Sequence, residues 1–502
     1  MEVLSVVRIL NTDALVSHGN QRGRRAMVEI LEAGLQAADP YYNSLKLMRR
    51  EGNHLIVGNP DFEPDDAPHQ GEEVINLDKV GKILVVGAAK GVQRVAKAIE
   101  ELLGNRLTGG HVIDKVGGEI ILERIGVTLG GHPVPDEGCV DGSRRILELL
   151  RDLRKEDLVF TIAGNGISSL LTLPVPGVSL EDVRKTTYLM QIERGVPTRE
   201  LNPIRNHLDM LKGGRISRLL QPAKAIHILI VDPNRISGGY GGYEQLMHNN
   251  AWLHTMPEGS SFAGAVALLK KWDAWEAVPE QVREHLLRAD PTQETVKAAE
   301  FAGMDFRVFG IMPRHLSMLP VAQKKAEELG YRPHVLCSWL QSEAAPTGVV
   351  IARIANSIEK EGVPFEPPCA LFTGGELLTT VGQEIGIGGR NQEYALSAAL
   401  VIAGSENVVM AAVDTDGTDG PGGQFLEGGE SIPTLAGGIV DGYTADEALA
   451  AGVDIRAELK RHNSTPALWK LDSGILATHN VSITDLGVTL ISGRSRTGGG
   501  RD

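Results

Sequence analysis

An α/β fold is predicted by two features of the chain. Short apolar runs of strand length recur along its 502 residues, with amphipathic stretches of helical spacing between them; alternation of this kind builds layered sheets flanked by helices. The runs are continuously apolar, which is how strands buried on both faces of a parallel sheet read. Candidate strands are residues 82–87 (KILVVG), 158–163 (LVFTIA), 226–231 (IHILIV), 306–311, 370–373 and 407–413 (NVVMAAV).

The helices follow from the intervening pattern. Val92, Val95, Ala96, Ile99, Leu102 and Leu103 keep the i, i+3, i+4, i+7 spacing of one buried helix face. Val321, Ala322, Lys325, Ala326 and Leu329 follow it in part, and Gly330 supplies a stop. Residues 141–154 read as another helix. The segment 272–292, with Pro279 and Pro291, reads as a linker, after which the alternation restarts. One domain is therefore expected over residues 1–285 and a second over 290–491, followed by a Gly/Arg-rich mobile tail, 492–502. Residues 63–73 read as a solvated loop.

Composition narrows the function. Apolar residues at 42% and charged residues at 23% describe an ordinary chain with a sizeable core, which excludes a disordered or fibrous protein. The 59 glycines are well above the roughly 35 that average usage (~7%) would give, so many tight turns are expected. A net charge of -14 disfavours nucleic acid as a partner, while leaving room for a local basic pocket for a small anion. The three cysteines, Cys139, Cys337 and Cys369, are far apart and without CxxC or Cys/His pairing, so neither a disulfide framework nor structural zinc is expected. The opening MEVLSVVRILNTD lacks the pattern of a secretory leader, and no apolar run reaches 18 residues. A cytoplasmic protein with no membrane partner is expected.

Three glycine-rich loops follow candidate strands. Gly87-Ala88-Ala89-Lys90-Gly91 precedes the helix at Val92; it is either a plain turn with a surface lysine or an anion site at a helix start, with Lys90 adding a full charge. Ala163-Gly164-Asn165-Gly166-Ile167-Ser168 lets a ligand approach backbone, or serves only as a tight turn. Gly388-Gly389-Arg390-Asn391-Gln392-Glu393 combines a glycine turn, a helix start and a guanidinium fork suited to carboxylate or phosphate. None of these is a GxxxxGK[ST] or GxGxxG loop, and no GxSxG elbow occurs.

The run at 407–413 leads into Asp414-Thr415-Asp416-Gly417-Thr418-Asp419-Gly420-Pro421. Carboxylates at the carboxyl end of a buried strand suit a hard cation such as Mg²⁺, with Asp416 and Asp419 as candidate ligands; Asp-Gly pairs equally suit a turn. An EF-hand is excluded, because Phe425 stands where the bidentate Glu would be. His132, in the rigid segment His132-Pro133-Val134-Pro135, is a buried polar residue or a ligand contact. The stretch 200–208 reads by itself as a solvated helix face.

Taken in order, VGAAKG (86–91), GHPVPDEG (131–138), ELNPIRNHLDMLKGGR (200–215), TGGE (373–376), GGRNQE (388–393) and DTDGTDGP (414–421) resemble the type II glycerate kinases, the MOFRL family, whose members also carry the name hydroxypyruvate reductase. The resemblance implies a Rossmann-like N-terminal domain, a second α/β domain and an active-site cleft between them. It implies transfer of the γ-phosphoryl of ATP to the 2-hydroxyl of D-glycerate or a related small hydroxy acid, with Mg²⁺ or another divalent ion. NAD(P)-dependent hydroxypyruvate reduction and changed or lost kinase activity are the alternatives, and a homodimer is allowed. Lys90, Arg390 and Asp414 are then the catalytic candidates. Gly87, His132, Gly164, Asn165, Gly166, Ser168, Asn202, Arg205, Lys212, Gly389, Asn391 and Glu393 are the binding candidates.

Overall fold

The computed structural model describes residues 7–132, 134–234, 241–381, 386–420, 432–479 and 483–494. The expected tail falls mostly outside them, as does the acidic loop from Pro421. The chain forms two compact units, one of residues 40–313 and the other of 1–39 with 314–502. The breaks between these units lie at 39/40 and 313/314 rather than at the expected 285–290.

In the unit of residues 40–313 a small antiparallel sheet comes first: β1 (Met48–Glu51), β2 (His54–Val57) and β3 (Glu73–Asn76). A six-stranded sheet follows, of β4 (Ile83–Ala88), β5 (Gly109–Lys115), β6 (Gly126–Gly130), β7 (Leu158–Ala163), β8 (Lys224–Leu229) and β9 (Phe306–Gly310). Its order is β6-β5-β4-β7-β8-β9 and every pairing is parallel. This is the doubly wound 3-2-1-4-5-6 order, with the topological switch between the adjacent strands β4 and β7. Both strands are buried along their whole length, which explains their continuous apolar sequence. The helix Val92–Leu103 buries the face that its spacing marks.

Strand β9 was expected to open the second domain. It pairs instead with β8 and closes the first sheet. The expected linker contains the helix Glu280–Arg288, whose Val282 and Leu286 join a core with Val183, Leu201 and Phe262. Its flanking prolines suggested a break, but Pro279 merely precedes the helix start. Residues 63–73 are not uniformly solvated either: Glu63 is buried and takes hydrogen bonds from Arg307 on β9 (3.0 Å) and from the Gly71 N–H (2.8 Å). The helix expected at 141–154 runs from Glu137 to Leu149 and is capped by the Asp136 carboxylate, which accepts from the Cys139 N–H at 3.0 Å.

The other unit is a mixed sheet of β10 (Arg332–Leu340), β11 (Cys369–Gly375), β12 (Val408–Asp414), β13 (Gly437–Asp441), β14 (Gly474–Ile475) and β15 (Asp485–Ile491), in the order β10-β11-β15-β12-β13-β14. Among the described strands of this sheet only β10 and β11 pair parallel; β15 is antiparallel to both β11 and β12. Continuous apolar runs here do not mark parallel pairing, for a physical reason. Val408, Met410 and Ala412 pack into one core while Val409, Ala411 and Val413 pack into another on the opposite face. Burial on both faces produces a continuous apolar run whatever the strand direction. The helix Gln21–Ala37 covers one face, with Met27, Ile30 and Leu31 set among Val409, Leu486 and Val488. Its Arg24 is fully buried and bonded to Asp441 at 2.5 Å.

Candidate active site

In the doubly wound unit, the turns after β4 and β7 meet at the switch point, where open α/β sheets form their ligand crevice. The Lys90 N–H donates to the Asn165 carbonyl at 2.8 Å and ties the two turns together. The Gly91 N–H donates to Asp114 at 2.9 Å, and Gly91 enters the helix at φ 71. Gly166 has φ +88, and a Cβ there would sit 3.0 Å from Lys90 Cγ and 3.3 Å from His132 Cδ2. Glycine therefore brings the backbone directly against the Lys90 and His132 side chains.

Two residues further on, Ser168 Oγ lies 3.0 Å from His254 Nε2. Burial, reinforced by the charges of Lys212 and Arg205, holds His254 well below the ordinary imidazole range. Both effects favour its neutral form. Among the described residues Arg205 donates to neutral oxygens only: Gln191 at 2.8 Å, Asn202 at 3.3 Å and Thr187 at 3.5 Å. Burial draws its pKa down to about 10. The helix Thr198–His207 that carries it is not a solvated face, since Asn202, Pro203, Ile204, Asn206 and His207 are all buried.

Three binding candidates have internal partners or packing roles. Lys212 is 1% exposed, and its ammonium donates to Asp209 and Thr172, both at 2.9 Å. A Cβ on Gly87 would lie 2.3 Å from the Ile162 carbonyl, so this glycine sets the close approach of β4 and β7. Gly164 faces Ile230 and Ala89 in the same way.

In the other unit, Arg390 is the first residue of the helix Arg390–Ile402. Its Nε donates to both Asp485 oxygens (2.8 and 3.1 Å), and its Nη2 donates to Asp414 at 2.7 Å. Asp414 and Asp485 are direct cross-strand partners of β12 and β15. Burial opposes the charge on Arg390, but the bond to Asp485 and the charges of Asp414, Asp485 and Asp419 raise its pKa. Arg390 is thus a neutralised cation, and the side chain keeps 24% exposure. Asn391 donates to Asp485 at 2.9 Å, and buried Glu393 accepts from His462 at 2.8 Å. A Cβ on Gly389 would strike Asp419.

The acidic loop resolves towards the turn reading. Asp416 accepts from the N–H and hydroxyl of Thr418 (2.8 and 2.7 Å), and Asp419 accepts from the Gln392 N–H (2.9 Å) at the helix start. Burial, then the charge of Asp485, pushes the Asp419 carboxyl up to about 7, against the pull of Arg390 and the two helix N–H groups. Among the described residues no three His, Cys, Asp or Glu side chains gather to hold a metal ion. The expectation that Asp416 and Asp419 hold a metal is not met by any such group among the described residues, where both carboxylates accept from nearby N–H or hydroxyl groups.

Asp485, His254 and Asp209 were not singled out by sequence reasoning. Asp485 opens a strand and looks like an ordinary turn residue. His254 lies in an irregular segment whose only signal was its polarity among Trp252, Leu253 and Met256.

The comparisons with known proteins agree with this architecture. Residues 26–287 match the model of a domain of unknown function, DUF4147, and residues 369–485 match the MOFRL family. A glycerate 2-kinase of Pyrococcus horikoshii is 33% identical over 91% of this chain and 94% of its own length. A D-glycerate 2-kinase of Thermotoga maritima is 34% identical over 85% and 94%. The crystal structure of a glycerate kinase from Thermotoga maritima superposes with a TM-score of 0.69 at 30% identity, covering 93% of this chain and 99% of that one. No helix among the described residues is long and apolar enough to cross a membrane. With its doubly wound unit, its mixed-sheet unit and relatives matched over most of their length, the chain belongs to the glycerate 2-kinase family of small-molecule kinases.

Proposed function

We propose that this protein transfers the γ-phosphoryl group of ATP to the 2-hydroxyl of D-glycerate or a closely related small hydroxy acid. The observation that carries the reading is Lys90, set in the turn after β4 at the sheet's switch point and held to the turn after β7 through Asn165. Phosphoryl transfer needs little covalent chemistry from the protein; catalysis is positioning plus stabilisation of charge on the moving group. Lys90 would supply a positive charge there, and Gly166 leaves backbone and ligand close together. Mg²⁺ would enter as the counter-ion of the nucleotide, since a substrate-borne ion needs only one or two protein carboxylates.

The three unpaired cysteines suit a reducing cytoplasm as the setting. ADP release measured with D-glycerate, ATP and Mg²⁺ tests the proposal. Absence of turnover across a panel of 2-hydroxy acids, with folded protein, would overturn it. NADH oxidation by hydroxypyruvate without ADP formation would establish the reductase activity instead.

A further inference from the structure

Beside the Arg390–Asp485 pair the mixed-sheet unit contains a small cavity of about 10 Å³. Apolar Leu377 and Ala412 line it together with Thr373, Asn391, Tyr394 and Asp485. A buried water needs roughly 10–15 Å³ and two to four polar partners. The cavity therefore has room for one water and none for an organic ligand.

Two of the lining residues carry a buried polar atom with no hydrogen-bond partner among the described residues: Asn391 Oδ1 and the Tyr394 hydroxyl. Asn391 is 0% exposed. Its Nδ2 donates to Asp485 at 2.9 Å and to Asp419 at 3.3 Å. Only the NH₂ end of an amide can face two carboxylates, so the orientation is fixed and Oδ1 is the atom left over. Tyr394 lies three residues further along the same helix and is 1% exposed. Burial raises its pKa and the neighbouring Thr373 and Thr489 hydroxyls act against that rise, yet its hydroxyl makes no hydrogen bond of good geometry. Side chains three apart on a helix are neighbours. Each such atom is costly to leave unpaired in an interior, and one water can serve both.

The same amide supports Arg390. Asn391 shares the Asp485 carboxylate with the guanidinium, whose Nε donates to it at 2.8 Å. An amide free to turn over would present Oδ1 to that carboxylate and repel it. A donor on Oδ1 thus holds both Asn391 and the carboxylate that aims Arg390.

We propose that one buried water occupies this cavity, donating to Asn391 Oδ1 and bonded to the Tyr394 hydroxyl, and that Tyr394 is thereby a positioning residue for Arg390. The role in turnover rests on the kinase reading and on the place of Arg390 among the catalytic candidates; the water itself does not.

The test joins a wild-type crystal structure that shows ordered waters to a Tyr394→Phe variant of the full chain, which removes one oxygen and keeps the ring. The crystal structure is expected to show one water within hydrogen-bonding distance of Asn391 Oδ1 and the Tyr394 hydroxyl. The variant's thermal midpoint should fall by about 2–4 °C, the shift for roughly one net hydrogen bond in a unit of this size. Its kcat for ADP release with D-glycerate, measured well below the midpoint, should fall about 10-fold with KM unchanged, less than the ~10² of a full ångström's misplacement. A merely structural hydroxyl would lower the midpoint and leave kcat alone, which would overturn the positioning role. An unchanged or raised midpoint, or density for a metal ion or for no atom between the two groups, would overturn the water. The water and the lowered midpoint in a protein without ADP release would uphold the site and remove the kinase reading. ADP release with no water in the density would do the reverse.

Discussion

Asp485 holds both of its carboxylate oxygens against Arg390, at 2.8 to 3.1 Å, across 95 residues of sequence. Removing one side of such a pair leaves the other charge without its best partner. Asp485→Asn is expected to destabilise its unit by about 2 kcal/mol. This is below the roughly 3–5 kcal/mol of a fully buried pair, because Asp414 remains and Arg390 is partly solvated. A lowered thermal midpoint, with the doubly wound unit unaffected in hydrogen exchange, would bear this out.

Asp419 carries a prediction about pH. Its carboxyl is raised to about 7 in the folded protein, against an ordinary value of 3.8. The native state therefore holds this proton more tightly than the unfolded chain. The associated stability is fully present below about pH 4 and is lost as the pH rises through 7. In Asp419→Asn that dependence should disappear. The melting-temperature difference, wild type minus variant, is expected to fall between pH 5 and pH 8; a constant difference would contradict the raised value.

Lys90 is expected to be needed for turnover and dispensable for folding. Lys90→Ala should lower kcat by about 10²–10³, the usual cost of one donor to developing charge. Its thermal midpoint should stay within the range of a surface substitution, about 0.5 kcal/mol. Steady-state ADP release and a melting curve on the same preparation check both halves.

Gly166→Ala should affect both properties at once. A left-handed backbone costs an L-residue roughly 1–2 kcal/mol, and the new methyl would press on Lys90 and His132. Displacement of the lysine by even an ångström is expected to reduce turnover about 10- to 100-fold. A variant with lowered stability and unchanged kcat would show that Lys90 is not placed by this turn.

Thiol reactivity separates the cysteines. Burial pushes the Cys139 and Cys369 thiols up to about 11, whereas Cys337 is half-buried. The thiolate is the reactive form. One fast-labelling thiol is expected in native protein at pH 7.5, mapped to Cys337 by mass spectrometry, and three after denaturation.

The sequence alone determined the fold class, six of the twelve strands of the two large sheets, the helix at Val92 and the turns that carry Lys90 and Gly166. These are local matters: continuous burial writes apolar runs, a helix face writes its spacing, and a left-handed turn needs glycine. Tertiary structure decided the rest. It assigned β9 to the first sheet, drew the helix Gln21–Ala37 onto the second, and set β15 antiparallel between β11 and β12. It neutralised Arg390 with Asp485, buried Lys212 on Asp209, and set Arg205 among neutral hydrogen-bond partners in the described residues. Whether a charged side chain is paired or available depends on partners distant in the chain, and a linear pattern carries no record of which distant residues the fold will bring within 3 Å.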